Sequence, residues 1–161
     1  MANEIQEAMH AEANRIRALH GARPLQLENR LCLAAQNQAE YMAARRRLSH
    51  DDNGGLGGRV RAAGYEYASV RENVAFGYAD VPALFRGWYE SPGHRENLLA
   101  VAQDAGYGRA IAIDGDWYCC AVFALPALRV VPSPEPRPTP PRRQGWWRRF
   151  AAWVNALPSS R

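Results

Sequence analysis

Apolar positions recur along the first half of the chain with a helical period. Ile5, Ala8/Met9, Ile16 and Leu19 lie near one stripe of a segment over 4–20, with acids early and arginines late, and Gly21 and Pro24 close it. Leu31, Ala35, Ala39 and Met42 mark the buried side of a second helix over 28–47, where Arg45, Arg46 and Arg47 gather cations at the C-terminal end. Residues 51–58, acidic and glycine-rich, read as a loop, followed by a short helix over 59–63 that Gly64 ends. Residues 80–89 are helical again, with Asp80 suited to the N-cap and Pro82 to the first turn. Elsewhere the period shortens to two. Val70, Glu72, Val74 and Phe76 share one face of a strand, and the runs 106–113 and 116–124 flank Asp114-Gly115, a strong hairpin signal. Helices first and antiparallel strands late predict an α+β layer structure.

Polar residues that break these patterns are the candidates for chemistry. Glu72 stands among three apolar neighbours on its face, so it lies at a wet strand end or is held by a partner, and a cation or a metal would serve. Asn14 and Arg17, three apart, are either solvated or buried hydrogen-bonding groups. The stretch 88–99 runs from the aromatic helix end at Trp88 through Ser91-Pro92-Gly93 into His94, Arg95, Glu96, Asn97 and two leucines. The break predicts a new helix that Ser91 or Gly93 caps, with Glu96 in its first turn. His94 then sits at a helix entrance, either facing a cleft or simply solvated. The 51–58 loop lacks the EF-hand spacing and its closing glutamate, which argues against calcium.

Charge divides the chain unevenly. Residues 1–128 carry 13 arginines against 15 acids, net −2, whereas 129–161 carry 7 arginines against Glu135, net +6. The basic pI therefore belongs to the tail, which argues against a nucleic-acid-binding face on the domain and for an anionic partner of the tail. Three cysteines make no disulfide framework: Cys119 and Cys120 point to opposite faces of one strand, and free buried thiols are favoured over a pairing with Cys32. The first residues show neither a basic nor an apolar signal-peptide region, and no run reaches the length of a membrane span.

Composition changes at Val131. The proline-rich stretch 132–141 favours polyproline II and at about 3.1 Å per residue reaches about 30 Å. Beyond it, Trp146, Phe150, Trp153 and Leu157 fall at helical spacing. With Trp147, Arg148 and Arg149, they suit the headgroup region of an anionic membrane, or else dock on protein. The predicted organisation is a domain over 1–128, a Pro/Arg-rich linker over 129–145 and a basic amphipathic helix over 146–158.

Taken in order, these pieces resemble the CAP superfamily (cysteine-rich secretory, antigen 5 and pathogenesis-related 1 proteins), in its bacterial branch, over roughly residues 5–125. The resemblance rests on Asn14-x-x-Arg17-x-x-x-Gly21-x-x-Pro24-Leu25, on Leu31, Ala35 and Met42, and on Ser49-His50. Glu72-Asn73-Val74-Ala75 is similar to the family's Gly-Glu-Asn-Leu/Ile-Ala strand, with Arg71 in place of the glycine. The segment Trp88-x-x-Ser91-Pro92-Gly93-His94-Arg95-x-Asn97-Leu98-Leu99 is similar to the bacterial signature. The resemblance implies an α-β-α sandwich with a shallow cleft holding two histidines and two acids, often with zinc or another divalent cation. The matching positions are His50, Glu72 and His94. The second acid's position carries Ser91, with Glu90 one residue off, and Cys119-Cys120-Ala121 replaces the family's usual Trp-Thr-Gln in the late strand.

Two functions follow as expectations. One is a non-enzymatic domain that binds a lipid, glycan or peptide at the His/Glu cleft and uses its tail on a membrane or envelope surface. The other is a divalent-metal-dependent hydrolase of peptide or cell-wall material. There His50, Glu72 and His94 would be ligands, with water in the fourth position and Glu90 or Glu96 as base. The missing acid favours the first, so an enzyme is the less expected outcome. The resemblance implies an extracellular or cell-envelope location, while the first residues of this chain show no route for export and keep a cytoplasmic location open.

Overall fold

The strand Trp117–Pro126 decides the architecture. Cys119, Ala121 and Phe123 alternate with Cys120, Val122 and Ala124, and none of the six is more than 1% exposed. A strand apolar on both sides must be covered on both faces. The computed structural model, which describes residues 2–127, supplies both covers. In chain order its elements are α1 (Glu4–Leu19), β1 (Gln26–Leu27), α2 (Asn29–Arg45), α3 (Gly55–Ala62), β2 (Tyr67–Phe76), α4 (Val81–Glu90), α5 (Pro92–Leu99), β3 (Asp104–Ile111) and β4 (Trp117–Pro126). The sheet order is β1-β3-β4-β2; β4 is antiparallel to both neighbours, and β1 runs parallel to β3.

On one face Cys119, Ala121 and Phe123 pack with Met9, Ala13 and Ile16 of α1, Leu84, Phe85 and Trp88 of α4, and Leu98 of α5. On the other, Cys120, Val122 and Ala124 pack with Leu31, Ala35, Ala39 and Met42 of α2 and Val60 of α3. The result is an α-β-α sandwich. Helix α2 lies directly on the sheet because β3 offers glycines there: a Cβ at Gly106 would stand 2.1 Å from the Leu31 carbonyl carbon.

Side chains close the sheet edges, which would otherwise be free to recruit another strand. Gln36 of α2 both donates to Arg109 O (2.9 Å) and accepts from Arg109 N (3.1 Å). Gln6 donates to Tyr107 O (3.0 Å). At the opposite edge, Asn97 Nδ2 donates to Glu72 O (3.0 Å) and Trp88 Nε1 to Val74 O (3.4 Å). Asn14 and Arg17 take the buried alternative. Asn14 brackets Leu25, donating to its carbonyl and accepting from its N–H. Arg17, 2% exposed, donates to Leu98 O (2.7 Å), Ala100 O (3.0 Å) and Arg23 O (2.8 Å), tying α1 to the end of α5.

Several expected boundaries move. The glycine-rich stretch is not all loop, because α3 begins at Gly55. Leu56, Val60 and Ala63, at spacings of four and three, face the second core, and that packing outweighs the poor helix propensity of three glycines. The arginine run closes α2 as expected of a helix end: Arg45 lies over the Tyr41 ring, Arg46 takes the left-handed C-cap and pairs with Asp114, and Arg47 pairs with Asp52. Strand β1 is too short to leave a period in the sequence. All three cysteines are free and buried. The expected linker (129–145) and tail helix (146–158) lie outside the described residues. Among the described residues no helix is long and apolar enough to cross a membrane.

Candidate functional site

Glu72 enters the structure as a carboxylate on an edge strand, its side chain only 2% exposed. Both oxygens are engaged. Oε2 accepts from the Arg59 guanidinium at 2.5 Å and from the Cys120 thiol at 3.3 Å, and Oε1 stands 2.9 Å from His50 Nδ1. Arg59 reaches this point from the last turn of α3 with its side chain 5% exposed, and donates its second nitrogen to His50 O (3.2 Å) and Asp52 O (2.9 Å). The loop that carries His50 is thus held by the same guanidinium that neutralises Glu72. Gln38, fully buried on α2, holds the preceding carbonyl at Ser49. A buried ion pair is tolerable only when its remaining donors and acceptors are also met, and this one meets that condition.

The hydrogen bond to a carboxylate fixes the proton of His50 on Nδ1 and turns Nε2 outward. That bond, partly offset by desolvation, raises the His50 pKa above its ordinary 6.5. His94 occupies the first turn of α5 and is half-buried. Desolvation first, and the charge of His50 second, lower its pKa below 6.5. Two asparagines set its position. Asn73, fully buried, donates to His94 O (2.9 Å) and accepts from Asn97 Nδ2 (3.0 Å), the same group that reaches Glu72 O. Glu72 and His50 are therefore in contact, and His94 is tied by its backbone to the residue beside Glu72.

Sequence reading missed Arg59, Gln38 and Cys120 as parts of the site. The signal for Arg59 was the need of Glu72 for a cation. Replacement of the usual late-strand residues by Cys119-Cys120-Ala121 puts a thiol on the Glu72 carboxylate, and burial and the carboxylate push the Cys120 pKa well above its usual value. Ser91 takes the N-cap position of α5 without a side-chain capping bond. Glu96 lies beyond the first turn, exposed, with its carboxylate on Arg71 (3.2 Å), and Glu90 ends α4 as an exposed side chain. Trp146, Trp147, Arg148, Arg149, Phe150 and Trp153 lie outside the described residues.

The model of the cysteine-rich secretory protein family matches residues 10–123. The chain belongs to this CAP family. Among its relatives, the uncharacterized membrane protein YlbC of Bacillus subtilis (strain 168) is 33% identical over 88 residues, 53% of this chain and 25% of that protein. The uncharacterized protein YkwD of the same organism is 27% identical over 53% of this chain and 34% of its own length. The chain thus spans a quarter to a third of the curated relatives it matches. An extracellular protein containing an SCP domain from Bacillus anthracis str. Ames superposes with a TM-score of 0.67 at 25% identity, covering 74% of this chain and 40% of that one. An outer surface protein from Borrelia burgdorferi shares the fold with a TM-score of 0.70 at 20% identity, over 75% of this chain and 92% of that chain. Bacterial CAP membership and the sandwich fold both follow.

In this CAP domain the expected three-ligand metal set of His50, Glu72 and His94 does not fit. Among the described residues no three His, Cys, Asp or Glu side chains are grouped to hold an ion. Glu72 directs its oxygens at Arg59, Cys120 and His50, and a metal on that carboxylate would stand beside a fixed guanidinium. What remains available is Nε2 of His50 together with the His94 imidazole.

The two imidazoles should titrate on opposite sides of 6.5, His50 above and His94 below, in an NMR pH series of their ring protons. The signs follow by linkage. The contribution of His50 to stability is complete below 6.5 and fades as pH rises through its folded pKa; that of His94 is complete above 6.5 and fades as pH falls through its folded pKa. Coincident titration at the ordinary value would contradict this geometry.

Proposed function

We propose that this CAP domain is a non-enzymatic recognition module. Its cleft presents His50 and His94 to a polar group of a lipid, glycan or peptide, and the basic aromatic tail brings it to an anionic membrane or envelope surface. The observation that carries the reading is the engagement of both Glu72 oxygens by Arg59, Cys120 and His50, which commits this carboxylate to holding the cleft and orienting the His50 ring. His50 then offers a pre-oriented ring nitrogen, suited to hydrogen bonding without reorganisation. The hydrolase reading draws less support. Of its candidate bases, Glu96 is paired with Arg71 and Glu90 is exposed at the end of α4, and its ligand set would need Glu72 to leave Arg59.

An envelope location is proposed from the company the domain keeps: relatives named as a membrane protein and as an extracellular SCP-domain protein. The tail supports it by chemistry. Trp146, Trp147, Phe150 and Trp153 are suited to the interface, and each of Arg148 and Arg149 is worth about 1 kcal/mol near an anionic leaflet.

Two measurements test the parts separately. The full chain, with or without added zinc, should release no product from casein or peptidoglycan. Hydrolysis that disappears in His50→Ala would overturn the non-enzymatic reading. In cosedimentation with vesicles, the full chain should bind phosphatidylserine-containing but not purely phosphatidylcholine vesicles, less so at high salt, and a chain lacking residues 142–161 should bind neither. Equal binding by the two chains would remove the tail from the account.

A further inference from the structure

We propose that this chain forms a two-fold symmetric dimer through the end of α2 and the β3–β4 turn, each copy seating Ile113 in an alanine-lined groove of the other. None of the residues involved belongs to the histidine cleft, so the inference does not depend on what that cleft recognises.

Ile113, in the turn, is 95% exposed, and Ile111, at the end of β3, is 57% exposed. Single exposed apolar residues are ordinary, but these two border an apolar groove. The groove, of about 550 Å³, runs between the end of α2 and the end of β3. Ala43 and Ala44 form one side and Ala110 and Ala112 the other, and side chains this short leave room for an isoleucine. Knob and hole therefore lie on one surface, an arrangement that a two-fold axis makes complementary to itself. The edge of β3 is also open at this point. Ala105 O accepts from Glu28 N, Tyr107 O accepts from Gln6, and Arg109 bonds Gln36 through both its N–H and its carbonyl. Ile111 is next in that alternation, and among the described residues no side chain meets its backbone there.

Charge selects the occupant. Glu40, Arg45 and Arg46 stand along the groove on α2, and the turn carries Asp114 and Asp116. Arg46 and Asp114 pair within the chain at 3.5 Å. Glu40, Arg45 and Asp116 are exposed and make no ion pair among the described residues. A patch that offers both signs around an apolar centre can pair with its own copy. An anionic leaflet or a nucleic acid would meet the acids as well as the arginines.

Sedimentation equilibrium on the full chain tests this. Wild type should follow a monomer–dimer equilibrium. Ile113→Asp, which sets a charge on the knob in both copies, should weaken the dimer about tenfold or more, since each copy loses the burial of an isoleucine. At 95% exposure Ile113 contributes little to the fold of the monomer, and circular dichroism should show the variant folded. Arg45→Glu should weaken the dimer too, less so at high salt. A wild type that stays monomeric throughout a submillimolar concentration series would overturn the proposal. So would a dimer that Ile113→Asp leaves unchanged, which would put the interface elsewhere, or open-ended association in place of a dimer.

Discussion

One buried carboxylate constrains the functional end of this molecule. Glu72 lies on a strand packed on both faces, and its charge cannot stay there unanswered. The answer is a guanidinium from α3, a short helix otherwise poorly suited to exist: it has three glycines in its eight residues and no side-chain N-cap. Val60 pins that helix to the second core while its neighbour Arg59 turns to Glu72, so apolar packing and charge neutralisation use adjacent residues. The same guanidinium ties down the loop of His50. Ring orientation, loop position and charge balance therefore share one residue.

The second histidine is placed by a different device. Strand β2 is an edge strand, and α4 and α5 lie against its free side with Trp88 and Asn97 donating to its carbonyls. Edge protection and site construction are the same set of hydrogen bonds. Asn73 then grips the His94 carbonyl, so the first turn of α5 keeps its register on the strand that carries Glu72. Arg17 secures the other end of α5. Two imidazoles with oppositely shifted pKa values follow from these placements, one beside a carboxylate and one desolvated near a cation.

Much of this was legible in the chain. The period of two around Asp114-Gly115 gave the hairpin, the adjacent cysteines gave free buried thiols on opposite faces of one strand, and Glu72 among apolar neighbours left a choice between a wet strand end and a partner. The identity of that partner was not legible. An arginine near the end of a short, glycine-rich helix looks like a surface residue, and only tertiary packing of Leu56 and Val60 turns it inward. Strand β1 has two residues and no periodicity to find. Asn73 and Asn97 stood within recognisable motifs, but their joint hold on His94 exists only across space. The reading of Glu72 as a metal ligand gave way to Arg59, because a carboxylate that already has a permanent cation has little to offer a second one.

The central claim is that Arg59 and Glu72 function as a pair, and a double-mutant cycle on thermodynamic stability tests it most directly. Arg59→Met alone strands a buried carboxylate and should cost about 3–5 kcal/mol. Adding Glu72→Gln removes the stranded charge, so the double variant should be more stable than Arg59→Met by itself. Two substitutions whose costs simply add, within about 0.5 kcal/mol, would contradict the account.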